Sequence, residues 1–114
     1  MLKLSPDLKE LDLENISKQI LDKDIDGIIC CNTTINHNYP LEGGLSGEEL
    51  FKISNKNLIA FRNFLGASIP IIASGGVMGC SHFKKKLELG ADLVQIYTGM
   101  VYKGPALIKE ILDP

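Results

Sequence analysis

The chain has 114 residues, 45% of them hydrophobic and 23% charged, and a formal net charge of −2. Its apolar content is that of one folded domain rather than a disordered chain, and without a cationic surplus nucleic-acid binding is disfavoured as its main task. Apolar runs such as residues 69–73 are too short to cross a bilayer, and the N-terminus turns polar at once, unlike a signal peptide.

The elements follow in chain order. Met1–Ser5 reads as a short strand, ended by Ser5-Pro6-Asp7, since proline fixes its own φ and disfavours helix before it. Leu13, Ile16 and Ile20 recur on one helical face and predict a helix over 12–23. Gly27–Cys31 is a compact apolar strand, followed by a polar, Gly-rich loop from Asn32 to Gly47. Leu58, Phe61 and Leu65 predict a helix over 54–65, stopped by Gly66. A strand over 70–73 runs into Gly75-Gly76. Phe83 and Leu87 mark a helix over 80–89 that Gly90 closes. Leu93–Tyr97 reads as a fourth strand, and residues 105–112 as a last helix, with Pro105 suited to a first turn.

The pattern is βα repeated four times, with strands that read apolar on both faces, as parallel strands do when helices cover them. Two α/β architectures fit: a small doubly wound domain, or half of an eightfold barrel whose full form needs about 250 residues. Glycines after the third and fourth strands favour the barrel. The expected fold is therefore a (βα)4 half of a TIM (β/α)8 barrel. A strand at Met1 fits a chain whose beginning is missing, and a half-barrel leaves two strand edges unpaired.

The candidate chemistry lies after the strands. Gly75-Gly76 is either an ordinary tight turn or a place where backbone N–H groups approach a phosphate; Tyr97-Thr98-Gly99 sits at the next strand end. Lys3 alternates with Leu2 and Leu4, so it points into a barrel interior if the leucines pack on helices, or into solvent if the strand frays. Asn32-Thr33-Thr34 supplies donors and acceptors for a planar polar ligand, or simply a side-chain-stabilised turn. Gly43-Gly44-Leu45-Ser46-Gly47 is a flexible loop or a close backbone approach. Lys84-Lys85-Lys86 reads as a solvated helix face. The odd set Cys30, Cys31 and Cys80, with no CxxC and no histidine at ligand spacing, reads as buried thiols; no metal site is expected.

Taken together and in order, Lys3–Leu8, Asn32-Thr33-Thr34, Gly43–Gly47, Ile71–Val77 and Val94–Gly99 resemble dihydroorotate dehydrogenase, in particular its class 2, quinone-dependent branch. The resemblance covers residues 1–114 but only the C-terminal half of that family's barrel. It implies FMN as cofactor, oxidation of dihydroorotate to orotate in pyrimidine (UMP) biosynthesis, and a quinone as electron acceptor. By that resemblance Lys3 lies near the flavin's pyrimidine edge, while Gly47, Gly76, Tyr97 and Thr98 contact FMN, the last three around its phosphate. Asn32 and Thr33 match the pair that hydrogen-bonds the substrate.

Cys31 stands where the family commonly has a threonine that contacts FMN, and the loop between Thr34 and Gly43 is short. The family's general-base serine lies in the other half of the barrel; Ser5, Ser46, Ser74 and Ser81 do not match it. The resemblance therefore implies a fragment inactive alone, and a full-length protein held peripherally at the cytoplasmic side of a membrane. Two other readings stand beside this one: another FMN barrel acting on a pyrimidine-like ring, and a non-catalytic, phosphate-binding half-barrel that pairs with a second copy.

Overall fold

A computed structural model describes residues 1–113. Four parallel strands, β1 (Leu2–Leu4), β2 (Ile28–Cys30), β3 (Ile71–Ser74) and β4 (Leu93–Gln95), pair in the order β1-β2-β3-β4. Helices α1 (Glu10–Asp22), α2 (Leu50–Leu65) and α3 (Cys80–Glu88) connect them; α4 (Thr98–Lys103) and α5 (Ala106–Leu112) follow β4. Sequential parallel strands joined by helical crossovers are the repeating unit of an α/β barrel. The molecule is a slab of 40 × 37 × 19 Å, with the shape of an opened half.

Register fixes the two faces of the sheet. Leu4, Cys30, Ala73 and Val94 stand in one row, and Lys3, Ile29, Ile72 and Leu93 in the next. Because side chains alternate across a strand, these rows face opposite sides. The first row meets the helices: Leu4, Cys30 and Ala73 are buried with Leu13, Ile20, Leu58, Phe61 and Leu65 in the main core. A smaller cluster of Val77, Leu107 and Ile111, with Phe83 against it, seats α3 and α5. The second row is uncovered, and Leu93 is 61% exposed. Strands that read apolar on both faces thus have one face unpartnered, the one that lines the interior of a closed barrel.

Several boundaries differ from the sequence expectation. The first and fourth strands are shorter than 1–5 and 93–97, and α1 starts earlier, at Glu10. The helix expected from 54 begins at Leu50, because Leu50 and Ser54 extend the buried stripe of Leu58, Phe61 and Leu65. Beyond the fourth strand lies the six-residue α4, which no periodicity announces; Gly104, at φ +61°, ends it. Pro105 caps α5 instead of opening its first turn. On α3, Phe83 packs inward and Lys84 and Lys85 are exposed as expected, but the two residues that follow them trade places. Leu87 is 41% exposed, whereas Lys86, read as a solvated residue, is fully buried. The cysteines are free thiols, with Cys30 and Cys31 buried and Cys80 half-buried.

Candidate functional site

The C-terminal ends of the strands open onto a cavity of about 520 Å³, within the range of cofactor and small-molecule sites. Lys3, Cys31, Asn32, Thr33, Gly47, Gly76, Tyr97 and Thr98, the eight residues singled out in the sequence, all line it. They come from five separate stretches of chain, and parallel topology gathers them because every strand ends on the same side.

Each wall has a local cause. Lys3 stands on the uncovered row beside Ile29. Asn32 N–H donates to the Leu4 carbonyl (2.8 Å), and Cys31 N–H to the Ser74 carbonyl (3.1 Å), so the end of β2 is stitched to both neighbours. The Asn32 side-chain oxygen accepts from Thr33 N–H at 2.9 Å. Asp7 then clamps the segment: one carboxylate oxygen accepts from the Thr34 hydroxyl and the other from Ile35 N–H at 2.9 Å. A single antiparallel bridge between Thr34 and Leu45 closes the loop above and brings Gly44 against Thr33.

The opposite wall is the Gly75–Gly76 turn after β3. Gly76 has φ +79°, and a Cβ there would sit 2.6 Å from Phe51 N, so α2 and the turn are in backbone contact. Only glycine meets both demands. Gly76 is buried, and among the described residues neither its N–H nor that of Val77 reaches a protein acceptor. A buried N–H without a partner is costly, and both residues line the cavity. Thr98, at the start of α4, donates its hydroxyl to Ser46 at 2.9 Å, tying the last wall to the Gly43–Gly47 loop.

Charge is arranged to match. No carboxylate lines the cavity among the described residues, although the chain is net acidic. Lys3 lines it, and Lys86 lies behind the glycine turn, its ammonium 2.6 Å from Ser54 Oγ and 5.1 Å from the centre of the Phe51 ring. Burial lowers the Lys86 pKa to about 8, and the Cys31 and Cys30 thiols work against that shift. Cys31 is drawn below the usual thiol range by Cys30 and, against the effect of burial, by Lys86. Cys30 is pushed up by its hydrogen bond to Cys31 and by burial. Sequence reading missed Asp7, Ser54 and Lys86 as site-shaping residues. Asp7 and Thr34 lay inside quoted motifs, but nothing in the sequence marked them as partners.

Comparison with known proteins gives the lineage. The family model of dihydroorotate dehydrogenase matches residues 1–114. The chain belongs to that family. A relative from Mesorhizobium japonicum, a dihydroorotate dehydrogenase (quinone), is 48% identical over 93% of this chain and 32% of its own length. Another of the same description, from Dichelobacter nodosus, is 45% identical over 98% of this chain and 35% of its own. Among solved structures, the Eimeria tenella enzyme in complex with ferulenol superposes with a TM-score of 0.92 at 32% identity, over 97% of this chain and 31% of that one. Its ligand-free form gives a TM-score of 0.90 at 33% identity, over 97% and 33%. The chain spans about a third of the length of the curated relatives it matches. Its four βα units are therefore one half of a TIM barrel. Among the described residues no helix is long and apolar enough to cross a membrane, and no cluster of three or more His, Cys, Asp or Glu is placed to hold a metal.

Proposed function

We propose that these residues form the phosphate-binding and part of the substrate-binding side of an FMN-dependent dihydroorotate dehydrogenase, which oxidises dihydroorotate to orotate and passes the electrons to a quinone. The observation that carries this reading is the convergence of all eight candidate residues on one cavity at the strand ends. Active sites of α/β barrels lie at that face, with phosphate held near the last two strands.

The residues fit a flavin nucleotide. The partnerless N–H groups of Gly76 and Val77 suit a phosphate, and the Thr98 hydroxyl would join them by turning its proton from Ser46 to the anion. Gly47, Tyr97 and Cys31 complete the contact with the cofactor; the Cys31 thiol occupies the place of a threonine hydroxyl and offers a weaker donor. Lys3 supplies the positive charge toward the flavin ring, where negative charge develops on reduction. Bound FMN would accept the hydride from dihydroorotate and hand the electrons on to the quinone. Asn32 and Thr33 would orient the substrate's carboxylate and ring amides, with Asp7 holding their segment through Thr34 and Ile35. The proton lost alongside the hydride needs a base, and no serine here matches the family's; that group belongs to the other half of the barrel. In the full-length protein a peripheral seat on the cytoplasmic face of a membrane would give access to quinone.

The test is to express the complete protein, isolate it with its flavin, and add dihydroorotate without oxygen. Bleaching of the flavin, followed by recolouring with a quinone, supports the reading. A flavin indifferent to dihydroorotate but reduced by another pyrimidine-like ring would make it a different FMN barrel. A second reading draws on the edge strand β4 and its exposed Leu93: two copies pairing their strand edges to rebuild eight strands, as a binding protein without turnover. A 114-residue chain that sediments as a dimer and binds FMN, in a cell holding no longer product, would favour it.

A further inference from the structure

Lys86 is the one lysine of the described residues that is fully buried, and it is not placed as a stabilising residue would be. An ammonium inside a protein is costly unless a carboxylate or several acceptors surround it. Here the groups that face it are Ser54 and Phe51 of α2 and the Cys30 and Cys31 thiols at the end of β2; no carboxylate bears on it. Its one hydrogen-bond partner, the Ser54 hydroxyl, lies 3.0 Å from the Gly75 carbonyl and from the Phe51 carbonyl. The chain of contacts therefore runs from Lys86 through Ser54 to Gly75, the first residue of the glycine turn. On the other side the same turn is pressed against Phe51, over whose ring the ammonium sits.

We propose that Lys86 is a positioning residue of the site: through Ser54 it fixes the Gly75–Gly76 turn with its free N–H groups toward the cavity, and it places a positive charge behind that wall for an anionic ligand group. Its burial cost persists because the ligand's anion supplies the counter-charge that the fold omits. The ligand named here, FMN, rests on the reading of the preceding subsection; the bracing of the turn does not.

The experiment uses the complete protein and the variants Lys86→Met, which keeps the length and drops the charge, Ser54→Ala, which cuts the link to Gly75, and Lys84→Met, a control on the exposed side of the same helix. Amide hydrogen exchange of the ligand-free protein reports the turn, and fluorescence titration reports FMN affinity. In Lys86→Met the segment 74–78 should exchange at least tenfold faster and FMN bind about tenfold more weakly, with no fall in melting temperature. Ser54→Ala should reproduce the faster exchange with a smaller loss of affinity, and Lys84→Met should match wild type. The proposal is overturned by unchanged exchange at 74–78, by faster exchange with FMN affinity intact, or by loosening of the whole chain with a lowered melting temperature. If Lys86→Met does not fold, Ser54→Ala alone decides the brace. A wild-type protein that binds no FMN would sink the flavin reading, while the exchange result would still decide what Lys86 does for the turn.

Discussion

The two ends of the sheet each hold a cation, and they treat it in opposite ways. At the N-terminal end of the strands Arg62 is saturated: its guanidinium donates to the Gly66, Ile69 and Gly90 carbonyls and pairs with Asp92 at 2.6 Å. Asp92 in turn accepts from Ile71 N–H at 2.8 Å, so the brace locks the start of β3 to the start of β4. At the C-terminal end Lys86 has one hydroxyl for a partner, and the amides beside it have none. One end spends its polar groups on the fold; the other leaves them short for a ligand. Barrels divide stability and chemistry between their two faces in this way.

Substitutions can break that contrast, the largest expected effect coming from the glycine turn. Gly76→Ala forces a left-handed φ on alanine and drives its Cβ into the α2 backbone, so we expect a loss of roughly 3 kcal/mol or more, together with lost FMN binding. Denaturant unfolding and flavin titration measure the two. Arg62→Ala leaves the Gly66, Ile69 and Gly90 carbonyls without their side-chain donor and takes the guanidinium from Asp92, and should cost about 2–4 kcal/mol. In the surviving folded protein FMN affinity should stay at the wild-type value. A large fall in affinity would mean that the two ends are not separate.

The pH dependence sharpens the comparison. Lys86 has its pKa lowered from 10.5 to about 8, so between those values the unfolded chain holds a proton that the folded chain has released. Wild-type stability should therefore rise, relative to Lys86→Met, as pH increases from 8 to 10.5. Below pH 8 the full cost of the buried charge is present, and Lys86→Met should be the more stable by up to roughly 3 kcal/mol. Melting curves of both proteins across that range read the gap, and a gap that stays constant would refute the buried charge. Asp92 carries the smallest effect. Its pKa is lowered by the Ile71 N–H and then by Arg62, so its contribution is present above the ordinary carboxylate value and disappears as pH falls through the lowered one. Asp92 is half exposed, and Asp92→Asn should cost under about 1 kcal/mol at neutral pH, and progressively less as pH falls below the ordinary carboxylate value.

What the sequence reveals and conceals follows the same division. Strand ends and their glycines are legible because turns have their own residue chemistry, and the cavity residues other than Lys3, which lies within β1, are legible because they sit in the segments that follow strands. Ser54 and Asn57 interrupt the apolar stripe of α2, which hides its first turn. Both are buried there to bond backbone from other segments: Ser54 at Gly75 and Asn57 at the Pro6 carbonyl. Lys86 hides for a related reason. Within a run of three lysines nothing local distinguishes the one that points inward; the packing of α3 against α2 decides it. The α4 helix is short and carries a glycine at position 99, so it lacks the length over which periodicity can be read.

The most direct measurement is anaerobic titration of the purified complete protein with dihydroorotate while its flavin absorbance is followed. The account predicts one FMN per chain, bleached by dihydroorotate in stoichiometric amount and restored by a quinone. Bound flavin that stays oxidised in dihydroorotate, or a protein that retains no flavin, would contradict it.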